Sequence, residues 1–543
     1  MVFARRSTTL LAAIIASCAM VLSLTACTSD NKTVVDGQTT VTSNSAGGVA
    51  VFTPSDGITL NQQMPLNKWA KLVPDLTKAL VDAGFKKGDI NHTTSDSLDK
   101  QSRAIQDFVV DHLSNNTTDD SGIAIAPDNM TLLVAPVVEA DASTRQYGDY
   151  VSQNLSTNDV TDEGATSDGE SSEDDSSKDD SSNTESDSTA SDEQAQAVDR
   201  LVSSLKLAKE SGMHVVLLGN SIEGYKPDAF VKFSDAQTIG KLQAEKMVSK
   251  LKLDKASKDN PKYIEVLLPY TAMDEKGNAN DSTFAQEAFR GIWQVLGSYY
   301  QKGVVESPSG TLDGKSTEND WQAVAYDAAK EGSTAKVLDK RLAKTDGQST
   351  LTRIDGIITM NDYIASEVVK ELDDLGYTGS AADINPQITI SGIVGNITGK
   401  KDLSRDAVPD PIKSPENDNA NDSSSSDDDA DKDTSASDKD RDSQWPLVTG
   451  YGAYVSNIPS IVNGKQWMTG MEDRQTIATD IAQACAKLNK DEALNSMPSI
   501  RSSEVGGVKK IPTISEPLLA VSASNLKSAL IDPGYISLAD AGL

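Results

Sequence analysis

Short apolar runs alternate with amphipathic helical patterns through most of this chain, and that alternation constrains the fold more than any other feature. Apolar residues spaced i, i+3, i+4, i+7 mark helices, whereas bounded apolar runs mark strands buried on both faces. The pattern predicts a strand over Gly57–Leu60, helices over Leu66–Ala83 and Lys100–His112, and a strand over Met130–Pro136. It resumes with a helix over Ala195–Glu210, a strand over His214–Leu218, a helix over Ala236–Leu251 and a strand over Tyr263–Leu268. Next come a helix over Thr283–Leu296, a strand over Gly303–Val305, a helix over Trp321–Leu342, a strand over Gly356–Met360 and a helix over Tyr363–Leu375. Strands at Gln387–Ile390 and Leu447–Thr449, helices at Val455–Asn463 and Arg474–Leu488, and an extended tail complete the reading. Strands separated by helices of this length require parallel sheets covered on both faces, and these strands are too many for one lobe. The expected class is α/β, with two doubly wound parallel-sheet lobes.

Two segments break the alternation without ending it. Asp159–Glu193 holds 14 acidic residues against one Lys, and Arg405–Ser443 holds 13 against five basic ones. Together they account for about two thirds of the net charge of -31. Both are Ser/Asp-rich and nearly free of aromatics, so they cannot bury enough apolar surface to offset chain entropy, and two disordered acidic insertions (157–194 and 403–444) are expected. Neither run has the ligand spacing and central Gly of a calcium loop. An acidic chain, with a pI near 4.4, is repelled by nucleic acid, which excludes that partner.

The N-terminus carries Arg5 and Arg6, an apolar run from Leu10 to Leu24, then Leu24-Thr25-Ala26-Cys27. The run is too short for a membrane span and suits a signal peptide over 1–26. Its end resembles the bacterial lipobox, in which the Cys becomes the acylated first residue, so Cys27 is the expected lipid attachment site. An ordinary secretory signal with a chance Cys is the other reading, and the paired arginines leave twin-arginine export open. Cys18 leaves with the signal and Cys27 is acylated, so Cys485 alone remains and no intramolecular disulfide is expected. Residues 27–53, polar and rich in Ser, Thr, Asn and Gly, read as the lipidated Cys and a flexible tether.

Four segments resemble the periplasmic sugar-binding proteins of ABC importers, nearest the xylose and multiple-sugar group. They are Gly57-Ile58-Thr59-Leu60 with Lys68-Trp69; Asp235 with Gly240-Lys241-Leu242-Gln243-Ala244-Glu245; Asp355-Gly356-Ile357-Ile358-Thr359-Met360-Asn361-Asp362; and Gly450–Thr469 with Val462-Asn463-Gly464-Lys465-Gln466-Trp467-Met468-Thr469, followed by Ile511-Pro512-Thr513 through Pro517 to Gly534-Tyr535. The resemblance implies a type I periplasmic binding fold, its lobes joined by three crossing segments and closing over a ligand. The expected division is 54–234 with 450–495 in the N-terminal lobe and 235–449 with 510–543 in the C-terminal lobe. It also implies a carbohydrate ligand, an ABC permease as partner, anchorage to the outer face of the cytoplasmic membrane, no cofactor, no metal and no catalysis.

By the same resemblance Lys68, Trp321, Asn361 and Asp362 are the expected ligand-binding residues: a cation, a flat surface for a sugar ring and two polar side chains. Lys68 reads equally as a solvated helix face, Trp321 as packing, and Asp362 as the cap of the next helix. The family's Asp-Arg pair after the strand near Leu218 is replaced by Gly219-Asn220, and its Gln-Asp pair by Tyr451-Gly452. Asn220 and Tyr451 stand where those contacts fall. Losing charge-assisted hydrogen bonds, each about 1.5–3 kcal/mol, weakens or redirects sugar binding, which leaves a non-sugar ligand such as a nucleoside open, and also a degenerate fold serving as surface scaffold or sensor.

Catalytic patterns are missing. His92, His112 and His214 are scattered, neither His-Glu-x-x-His nor Cys-x-x-Cys occurs, and Gly219-Asn220-Ser221-Ile222-Glu223 lacks the final Gly of a nucleophile elbow. Gly310–Ser316 is one residue short of a phosphate loop.

Overall fold

The computed structural model describes residues 46–56, 65–115, 125–138, 146–150, 153–156, 185–273, 280–328, 330–343, 351–382 and 444–543, with short strands at 34–35 and 38–39. The signal segment, Cys27, the strands expected at Gly57–Leu60 and Gln387–Ile390, and the acidic stretches 157–184 and 403–443 lie outside the described residues. The chain divides into units Met1–Ser45 and Ala46–Leu543. In the first, Val34–Val35 pairs antiparallel with Gln38–Thr39.

Along the second unit run β1 (Gly48–Pro54), α1 (Trp69–Asp82), β2 (Ile90–Ser95), α2 (Leu98–Asn115), β3 (Met130–Val134), α3 (Glu185–Glu210), β4 (His214–Leu218), β5 (Ala229–Lys232) and α4 (Ala236–Leu251). Then come β6 (Lys262–Val266), α5 (Thr283–Gln301), β7 (Val305–Glu306), α6 (Trp321–Val324), α7 (Ser333–Arg341), β8 (Gly356–Ile358) and α8 (Asp362–Leu375). The last are β9 (Leu447–Tyr451), α9 (Ile458–Val462), β10 (Met468–Met471), α10 (Arg474–Leu488), β11 (Ile500–Val505), β12 (Val508–Ser515) and β13 (Leu519–Ser522).

The strands form two main sheets. One has seven strands in the order β11-β12-β5-β4-β3-β1-β2 and the other six in the order β7-β6-β8-β9-β10-β13. Every pairing in them is parallel except the β11–β12 hairpin and β10–β13. Both faces of the first sheet are covered, as strand periodicity requires. Val49 and Val51 of β1 pack with Leu72, Leu76 and Leu80 of α1 and with Ile477 and Ile481 of α10. Ala50 and Phe52 pack on the opposite face with Ile105 of α2 and Leu201 of α3. In the second sheet, α4, α5, α7 and α8 build one continuous core. Two doubly wound α/β lobes joined by three crossings are thus the observed architecture.

Several expectations need correction. The tether does not extend to residue 53, because Gly48–Pro54 is a buried inner strand. Strands buried on both faces show no alternation, and Gly47-Gly48 imitates a linker. The crossings between the sheets fall at Phe233–Asp235, Glu472–Asp473 and Glu516–Leu518. The lobe boundary expected between residues 449 and 450 falls inside a strand, since Gly450 stays in the ladder, paired with Thr469. Consequently β9 and β10 belong to the C-terminal lobe, and β11 and β12 to the N-terminal lobe. The helix expected over Trp321–Leu342 is split into α6 and α7, with Gly332 left-handed at φ 71° before the second piece. The end of the first acidic run is helical, since α3 begins at Glu185.

Candidate functional site

In doubly wound sheets, ligands bind at the carboxyl ends of the strands, because the loops there can diverge. Here the loops following β1, β3 and β5 meet the end of β9 and the loops following β8 and β9 across the gap between lobes. Leu66 N–H donates to Gly452 O at 2.9 Å. The hydroxyls of Ser234 and Tyr451 lie 2.5 Å apart.

Of the expected site residues, Asn361 and Asp362 open α8. Asn361 is its N-cap, its Oδ1 accepting from Ile364 N–H at 2.9 Å, while its Nδ2 donates to Gln146 Oε1 at 3.1 Å. The capping role expected of Asp362 thus belongs to Asn361. The Asp362 carboxylate is fully buried and accepts from Gln466 Nε2 (2.7 Å), Tyr454 N–H (2.9 Å) and Thr469 Oγ1 (2.8 Å). Gly450 makes room for it: a Cβ there would lie 2.2 Å from Asp362 Oδ1. Burial pushes the Asp362 carboxyl up to about 6, although these hydrogen bonds oppose the shift.

Tyr451 is fully buried, and its hydroxyl reaches Ser234 and, at 3.5 Å, Glu472 Oε1. Glu472 also accepts from Ser234 N–H at 2.6 Å, so one carboxylate ties the first crossing to the second. Burial pushes it up to about 7.

Lys68 precedes α1 and forms an ion pair with Asp149 at 2.7 Å. Asp149 also accepts from Trp69 N–H at 3.0 Å; burial, helped by neighbouring Asp56, raises its carboxyl against the pull of Lys68. Asn220 bonds the loop after β3, donating to Pro136 O at 2.9 Å and accepting from Gln153 N–H at 3.0 Å. Trp321 packs edge-on against Tyr270, ring centres 5.1 Å apart, in the C-terminal core.

The fold therefore brings Lys68, Asn361 and Tyr451 around one segment, Gln146–Tyr150, while Asp362 faces Tyr454 and the remaining two lie in separate contacts. Sequence reasoning did not single out Gln146, Tyr147, Asp149, Tyr454 or Glu472. The available signal was Tyr147 and Tyr150 standing in an otherwise polar stretch.

The titrating carboxyls give a pH prediction. Glu472 and Asp362 bind protons more tightly folded than unfolded, so stability rises as pH falls through about 7 and is lost on the alkaline side. Burial lowers His92 and His112, and these oppose the gain below about pH 6.5. Melting temperature is expected to be higher at pH 6.5 than at pH 8.5, with Glu472 supplying about 1 kcal/mol of the difference. Glu472→Gln removes that part in a calorimetric pH series, and an unchanged slope in the variant would refute the assignment.

No family model and no curated protein sequence matches the chain. Among solved structures it is similar to an ABC transporter solute binding protein from Clostridium phytofermentans with bound beta-D-glucose, at 17% identity and TM-score 0.43, covering 91% of this chain and 99% of that one. A carbohydrate transporter solute binding protein from Chloroflexus aurantiacus in complex with D-glucose gives 17%, 0.43, 92% and 98%. A periplasmic ribose ABC transporter protein from Conexibacter woesei gives 13%, 0.42, 90% and 96%.

Proposed function

We propose that this chain is a receptor of the bacterial envelope that captures a sugar or sugar-like small molecule between its lobes and delivers it to an ABC permease. The observation that carries this reading is the convergence of strand-end loops from two doubly wound lobes on one cleft, with three crossings between them among the described residues. Such lobes rotate as bodies about short connections, so a ligand bridging both stabilises the closed state that a permease distinguishes. In this reading no reaction is catalysed, and acylated Cys27 holds the body on the outer face of the cytoplasmic membrane.

One observation favours a second reading, a surface scaffold or sensor subunit: Tyr147 and Tyr451 are buried in the cleft, 1% and 0% exposed. Thermal-shift titration of the full-length protein with pentoses, hexoses, oligosaccharides and nucleosides separates the two, because a ligand that binds only the native state raises its melting point. A dose-dependent rise with a sugar supports capture, whereas a folded protein that responds to nothing supports the scaffold. In the same preparation, Cys27→Ala is expected to leave the membrane fraction, and its retention there would remove the anchor.

A further inference from the structure

Gln146–Tyr150 lies between β3 and α3, outside both sheets, and it touches both lobes. On the C-terminal side, Gln146 Oε1 accepts from Asn361 Nδ2 at 3.1 Å, and the Gln146 carbonyl accepts from the Tyr454 hydroxyl at 2.7 Å. The Tyr147 ring sits 4.7 Å from Phe284 and 6.3 Å from Tyr451, within the C-terminal lobe's core. On the N-terminal side, Asp149 N–H donates to Asn67 O at 2.8 Å and the Asp149 carboxylate pairs with Lys68 at 2.7 Å. The Tyr150 hydroxyl donates to Lys68 O at 2.5 Å, and its ring stacks on Phe233 at 4.8 Å. Between the two halves, Gly148 takes φ 98°, and a Cβ there would meet Asn67 O at 2.6 Å. Only glycine makes that turn at so close an approach.

These are the contacts a small molecule would make in closing the lobes: hydrogen bonds from both sides and an aromatic packed in a mainly apolar seat. We propose that Gln146–Tyr150 is an internal occupant of the interlobe cleft, held in the ligand's place by this chain's own side chains and displaced when ligand is captured. The inference rests on the capture reading. It also narrows the ligand to a molecule with hydroxyls or amides for Asn361 and Tyr454 and a flat apolar face for Phe284 and Tyr451, which a pyranose has. An internal occupant keeps the lobes closed without ligand. It lowers apparent affinity by the fraction of molecules whose cleft is filled.

The test uses the full-length protein with spin labels at the exposed positions of Lys78→Cys and Lys330→Cys, one on each lobe. Gly148→Val breaks the seat on Asn67, and Gln146→Ala/Tyr147→Ala empties the C-terminal seat. Each is expected to lengthen the interlobe distance in the absence of ligand and to tighten binding of D-xylose or D-glucose by about tenfold or more. Opened lobes that bind neither sugar would keep the internal occupant and refute the sugar reading. Unchanged distances in folded variants would overturn the occupant itself. If the variants do not fold, hydrogen exchange on the unmutated protein decides: the Asp149 amide exchanges well before the β3 amides if the segment is displaceable, and only with them if it is fixed core.

Discussion

Gly291→Leu is expected to unfold the C-terminal lobe under conditions where the unmutated protein is native. A Cβ at Gly291 of α5 would stand 2.0 Å from Gln237 O and 3.0 Å from Lys241 N of α4. The contact is reciprocal, since a Cβ at Gly240 of α4 would stand 2.2 Å from Ala288 O of α5. The obstructing atoms are backbone, so no side chain can turn aside, and the helices must separate along the face that buries Ile239, Phe289 and Ile292. Overpacking ordinarily costs about 1–3 kcal/mol, and loss of this close approach places the substitution at or above the upper end. Urea denaturation followed by circular dichroism checks it, with Gly291→Ala as the smaller step. A variant as stable as the parent would show that the two helices do not pack backbone to backbone.

Asp362→Ala is expected to cost about 3 kcal/mol whether or not ligand is present, because it strands buried donors at about 1–3 kcal/mol apiece, partly offset by relief of a buried carboxylate. Those donors are Tyr454 N–H, Gln466 Nε2 and Thr469 Oγ1. Asn457 Nδ2 joins the network through the Asp362 carbonyl at 2.7 Å and Gln466 Oε1 at 2.9 Å, so the loss spreads over the loop after β9. Asp362→Asn keeps the shape and an acceptor, and it should fall between the two. The check is a melt of all three proteins with and without sugar. An alanine variant that keeps its melting temperature while losing its sugar response would make Asp362 a ligand contact rather than a support for Tyr454.

The contrast with the sequence expectations lies in where partners stand along the chain. The start of α4 was legible because its determinants are local: Asp235 accepts from Thr238 N–H three residues on, at 2.7 Å. The cleft was not. Gln146 meets Asn361 across 215 positions and Tyr454 across 308, separations that no periodicity encodes. Resemblance pointed to Asn361 and Tyr451, which do border the cleft, but not to what fills it. The strand β1 escaped because Val49, Ala50, Val51 and Phe52 are all buried, so the run shows no alternation that would distinguish it from an apolar patch in a tether.

The sheet order has a consequence for biogenesis. The N-terminal lobe takes β11 and β12 from residues 500–515, and β12 covers the β5 edge through the pairs Thr513–Phe230 and Ile514–Val231. A chain emerging N-terminus first therefore presents β5 as an open, hydrogen-bonding edge until residues 508–515 have appeared, so the lobe begun first is completed only after most strands of the other. Pairings this distant in sequence form slowly, and an uncovered strand edge invites association with other chains in the interval. The topology alone therefore leaves that edge uncovered until residues 508–515 are made.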